Sequence, residues 1–161
     1  MTESYRYGHV EAALARVFSV GPDELGAFRG RLRHLRNIGV PDLPKPGSGR
    51  QIKYSRQNII EMMLALEFEA MGVSPRYATQ YAKQYSKVFV PDNRDPAHSD
   101  IILVTNPHPF RFPWAAISTQ NMKRWVEFVL TEDRLPNRFA IVNVARSVAV
   151  LDDALRAISM G

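Results

Sequence analysis

PDELGAFRGRLRHLRNIGVPDLPKPGSGRQIKYS, residues 22–55, brings together a helix start, arginines at helical spacing, a proline-rich stop and a glycine-tipped basic segment. Residues 29–56 carry Arg29, Arg31, Arg33, Arg36, Lys45, Arg50, Lys53 and Arg56 against one acid, Asp42. That excess is larger than the net +5 of all 161 residues. Pro22 suits the first position of a helix, and Asp23 and Glu24 complement its N-terminal dipole. On a wheel of about 100° per residue, Leu25, Phe28, Leu32 and Leu35 fall in one apolar arc, with Arg29, Arg33, Arg36 and Asn37 beside it. Gly26 and Gly30 share the polar side, where each costs about 1 kcal/mol of helix propensity against alanine. Either they let the backbone approach something closely, or they split the segment into two helices. Gly39 stands where a left-handed cap belongs, and Pro41 enforces the stop. Residues 50–54 alternate like one strand of a small hairpin tipped by GSG at 47–49.

The flanking segments are periodic. Val10, Ala13, Leu14 and Val17 line one face of a helix over residues 9–18, and Ser19, Val20 and Gly21 make a brief connection to the basic helix. Two short helices joined by such a turn outline a helix-turn-helix. On the other side, Ser55 caps an apolar helix over residues 56–71 that ends at Gly72. Ser74 and Pro75 then start a helix with Ala78, Tyr81, Ala82 and Tyr85 on one face, ending near Lys87. The Met62, Met63, Leu64, Leu66, Phe68 and Met71 cluster reads as core filler.

Residues 88–100 are polar, carry two prolines and read as a linker or exposed loop. Strands are predicted at 101–105, 115–119 and 139–144. A helix over 121–130 has Met122, Trp125, Val126 and Val129 on one face, and another over 147–160 has Val148, Leu151, Leu155 and Ile158. The expected fold is mainly α with small β: a helical module at 1–87, the linker, and a small α/β unit at 101–161 for dimerisation, a partner or a ligand. The positive excess lies wholly in residues 1–87, the layout of a polyanion binder with a second functional unit.

The chain has no cysteine, which excludes disulfides and thiolate metal sites. His9, His34, His98 and His108 lack ligand spacing, so no metal is expected. Asp152 and Asp153 are adjacent, diverge by about 100° on a helix and read as solvated charges. GSG at 47–49 lacks the lysine of a phosphate loop. Arg111, in PHPFRFPW at 107–114, reads as part of a loop packed on the sheet, with an anion contact the lesser alternative. No catalytic residues, cofactor or enzymatic activity are expected. A signal peptide and a membrane span are absent from the pattern, so the expectation is a soluble cytoplasmic, nucleoid-associated protein.

Three pieces, RLRHLRNIGVP at 31–41, IKYS at 52–55 and EFEAMGVSPRYA at 67–78, follow in the order of a MerR-type winged helix-turn-helix domain, which residues 9–86 resemble. His34 and Leu35 replace that family's paired tyrosines, the second helix is longer, and no long dimerising heptad helix follows. The resemblance implies a sequence-specific double-stranded DNA-binding regulator. Arg29, Arg33 and Arg36, with His34 and Asn37, would enter the major groove. Arg50, Lys53 and Tyr54 of the wing would hold flanking phosphates or reach the minor groove, and Arg31 and Arg56 complete the basic set. A homodimer formed by residues 88–161 would read two half-sites. The alternatives are the DNA-binding subunit of a phage-type nucleoprotein machine, for excision or packaging recognition, and a ligand-sensing regulator with the C-terminal unit as its pocket.

Overall fold

A computed structural model describes residues 4–43, 51–87, 101–105, 115–118 and 140–160, with six positions between 121 and 131. Its elements are α1 (Tyr7–Val17), α2 (Leu25–Asn37), α3 (Arg56–Ala70), α4 (Pro75–Ser86), β1 (Ile101–Thr105), β2 (Ala115–Ser118), β3 (Ala140–Asn143) and α5 (Val144–Ser159). The described protein is mainly helical. Lys45, Arg50, the GSG tip, the 88–100 linker, PHPFRFPW with Arg111, and the side chains of Met122, Trp125 and Val129 lie outside the described residues.

The basic segment is one helix, not two. A single 3-10 turn at Pro22–Glu24 leads into α2, and the Glu24 carboxylate accepts from the Gly21 amide at 3.1 Å. Phe28, Leu32 and Leu35 are buried, as the wheel requires, while Leu25 is half-buried. The helix ends where its sequence predicts. Gly39 has φ +86°, its amide reaches Arg36 O, and the Val40 amide reaches back to Leu35 O at 2.9 Å. Glycine carries that left-handed conformation without the Cβ clash of other residues.

α3 starts on a reciprocal cap: the Ser55 hydroxyl accepts from the Asn58 amide at 3.2 Å, and the Asn58 side chain accepts from the Ser55 amide at 2.9 Å. Every residue from Ile59 to Leu66, and then Phe68, is buried, which makes α3 the central helix. Gly72, at φ +82°, ends it. Ser74 occupies the cap of α4 without a side-chain bond, so Pro75 marks that start. Ala78, Ala82 and Tyr85 are buried against the core, and Tyr81 packs edge-on to Phe68 at 6.1 Å between ring centroids.

Residues 44–50 of the expected basic hairpin lie outside the described residues. Among the described residues, Tyr54 pairs with Tyr5 near the N-terminus, through amide-to-carbonyl bonds of 2.8 and 2.9 Å. All three predicted C-terminal strands form, in an antiparallel sheet of order β2-β1-β3. Of the 121–130 helix, Val126 is helical and 37% exposed. α5 begins three residues before its predicted start, where the Asn143 side chain accepts from the Arg146 amide at 3.0 Å. Its face of Val144, Leu151, Ala154 and Leu155 belongs to the same buried cluster as α1 to α4. The two parts of the chain therefore share a core among the described residues.

Candidate nucleic-acid interface

α2 is held by its apolar stripe, which leaves its other side outward. Gly26, Arg29, Gly30, Arg33, His34, Arg36 and Asn37 are all exposed. On the wheel, Gly26, Gly30, Arg33, His34 and Asn37 occupy the sector opposite the buried arc, and Arg29 and Arg36 lie on its margin. A Cβ built on Gly26 or Gly30 meets nothing within 4 Å, so no described part of the protein covers this face.

The arginines differ in what holds them. Arg29 Nε donates to Glu11 Oε1 of α1 at 2.7 Å, and the Arg36 guanidinium lies 5.3 Å over the ring of Tyr7, also on α1. Tyr7 and Glu11 are four residues apart and Arg29 and Arg36 seven, so each pair shares a helix face and the two faces meet. Arg33 is different. Its one contact among the described residues is a long 3.4 Å bond from Nε to Arg29 O, with no carboxylate partner. It is the α2 arginine at the middle of the outward face.

Three of the sequence-predicted residues are engaged within the protein. Arg31 projects from the opposite side of α2, 3.8 Å from Glu69 of α3, and so does not share a surface with Arg33. Arg56 forms a two-point pair with Asp152 of α5, Nε to Oδ1 at 2.6 Å and Nη2 to Oδ2 at 2.7 Å. That pair also removes Asp152 from the solvated charges and gives Arg56 a role in holding α5. Tyr54 has no exposed surface, and burial raises its hydroxyl pKa. It belongs to the buried core. Lys53, beside it, is exposed.

Sequence reading missed Arg6, Tyr7, Glu11 and Glu69. The i, i+4 spacing of Tyr7 and Glu11 was available, but their partners stand on another helix, and nothing local names them. Among the described residues, no cluster of three His, Asp or Glu is placed to hold a metal ion, and no helix is long and apolar enough to cross a membrane. No protein-family model matches the sequence, and no curated protein is significantly similar to it.

Proposed function

We propose that α1, α2, the 41–55 segment and α3 form a winged helix-turn-helix of the MerR type, and that the chain is a sequence-specific double-stranded DNA-binding regulator acting as a homodimer. One observation carries this reading: α2 is a single helix whose uncovered face holds Arg33, His34 and Asn37 together with Gly26 and Gly30, with Arg29 and Arg36 along one margin. A helix of this kind fits the B-DNA major groove, where an arginine bonds guanine O6 and N7 and an asparagine bonds adenine N6 and N7. Gly26 and Gly30 lower the helix profile and allow a close approach of backbone to the groove wall. Lys53 supplies phosphate contact from the wing, and Arg50 is assigned there on sequence grounds alone.

Two copies, joined through residues 88–161, read two half-sites. Binding of genomic fragments by gel shift tests the reading. A regulator retains fragments that carry an inverted repeat upstream of coding sequence, and its affinity falls steeply with salt. Clustered repeats at a recombination or packaging site assign the protein to a nucleoprotein machine. Equal retention of all fragments contradicts sequence-specific recognition.

A further inference from the structure

Arg36 is held in a different way from the other arginines of α2. Its guanidinium carbon lies 5.3 Å over the centre of the Tyr7 ring, and among the described residues it has no carboxylate partner. Arg29, by contrast, gives its Nε–H to Glu11 at 2.7 Å. The two contacts differ in what they leave free. A carboxylate accepts an N–H bond and offsets the charge, whereas a ring face attracts the cation through its quadrupole and accepts no such bond. Arg36 is therefore restrained with its charge and its N–H donors still available to a ligand.

The fold fixes where that ring stands. Tyr7 opens α1 two residues after Tyr5, whose backbone exchanges bonds of 2.8 and 2.9 Å with Tyr54. The half-buried Tyr7 ring then leans on the ring of the fully buried Tyr54, with centroids 6.4 Å apart and planes at 52°. Its hydroxyl has no hydrogen-bond partner among the described residues. The part of Tyr7 that meets α2 is thus the ring and not the phenol oxygen. Anchored on the core, it stands beside the last turn of α2, where Arg36 is exposed.

We infer that Tyr7 is a positioning residue for base recognition: its ring holds Arg36 at the margin of the open α2 face, so that the guanidinium meets a guanine edge already oriented. This role rests on the DNA-binding reading. A long side chain loses rotamer freedom when it is ordered on binding, and restraint in the free protein removes part of that cost. The planar guanidinium fork gains most where two N–H groups must meet O6 and N7 of one guanine. The ring therefore raises discrimination at one base pair more than affinity for every duplex.

The test uses the full chain and has two parts. In the free protein, NMR of the arginine Nε–H groups should place Arg36 upfield of the exposed Arg16, because it lies over a ring; Tyr7→Leu should remove that shift and Tyr7→Phe should keep it. An Arg36 signal at the Arg16 position in the wild type overturns the proposal. Competition between a selected duplex and its single-base-pair variants then gives the preference at each position. Arg36→Gln should erase it at one base pair. Tyr7→Leu should lower it there about two- to fivefold, the scale of an exposed cation–π contact. Tyr7→Phe, which keeps the ring, should retain it, and Tyr7→Leu added to Arg36→Gln should cost nothing more at that position. Equal weakening at all positions by Tyr7→Leu would assign the ring to folding and overturn the proposal, as would an unchanged profile. If Arg33→Ala alters the profile while Arg36→Gln does not, the proposal fails and the DNA reading stands. If the wild type prefers no duplex, the DNA reading fails and the role in specificity falls with it, while the NMR shift still reports the Tyr7–Arg36 contact.

Discussion

Glu11 fixes where Arg29 points. The carboxylate is mostly covered, with its side chain 14% exposed, while that of Arg29 is 52% exposed, so the acid holds the guanidinium by one edge and leaves the other outward. An exposed pair of this kind adds little stability, about 0–1 kcal/mol, but it restricts the arginine and cancels its charge. Glu11→Gln should therefore tighten binding to all duplexes and steepen the salt dependence by about one phosphate contact. The ratio of specific to non-specific affinity should fall. Fluorescence anisotropy at several salt concentrations reads both quantities. An unchanged salt slope would show that Arg29 takes no part in the interface.

A second residue speaks to stability. Glu61 is 7% exposed in the middle of α3, and Oε1 has no partner among the described residues. Burial pushes its carboxyl above the usual carboxylate range, with Lys83 opposing, Asp42 adding and Lys87 opposing. The folded protein thus favours the protonated acid. Its stabilising contribution is present below the ordinary glutamate pKa and is lost as pH rises from there through the raised value. Glu61→Gln should melt a few degrees higher than wild type at pH 7, the gap closing near about pH 4. A lower melting temperature at pH 7, or a gap that ignores pH, would contradict this assignment.

Among the elements, α5 is held by pairs distant in sequence. Its apolar face packs into the shared core, Asp152 takes two bonds from Arg56, and the Ser147 hydroxyl donates to Glu67 of α3 at 3.3 Å. Both members of the Arg56–Asp152 pair are about one-quarter exposed, so the loss of one charge is only partly relieved by water. Asp152→Asn should cost about 1–3 kcal/mol in urea unfolding and speed amide exchange in α5 more than in α3. Equal exchange in the two helices would mean that the pair does not hold α5. The elements themselves were legible because apolar spacing, Gly39, Gly72, Ser55 and Pro75 are local signals. What joins them was not. The Tyr5–Tyr54 pairing, Asp152 on Arg56 and Glu11 on Arg29 link positions at least 18 residues apart, where no periodicity operates. The candidate site was legible in the same proportion. The wheel separated the buried stripe of α2 from its basic side, but only the neighbouring helices show that Arg31 turns away and that Arg33 stands without an acidic partner.

At the scale of the whole molecule, part of the basic excess of residues 1–87 is held in contacts within the protein. Glu69 and Asp152 draw Arg31 and Arg56 into contacts that hold the helices together, and Glu11 ties Arg29 to the edge of the open face. On α2 the face with Arg33, His34 and Asn37 remains outward, and Arg6, Arg16, Lys53, Arg76 and Lys87 are exposed as well. On the proposed DNA-binding reading, the open face of α2 sets the docking mode. Arg33 is the centre of that mode. The most direct test measures Arg33→Ala and Lys53→Ala against a selected duplex and an unrelated one at the same salt concentration. Arg33→Ala should lose the preference for the selected duplex, by about 1–3 kcal/mol for one bidentate base contact, while Lys53→Ala should weaken both duplexes alike. Unchanged affinity and unchanged preference in Arg33→Ala would contradict the assignment of α2 to the groove.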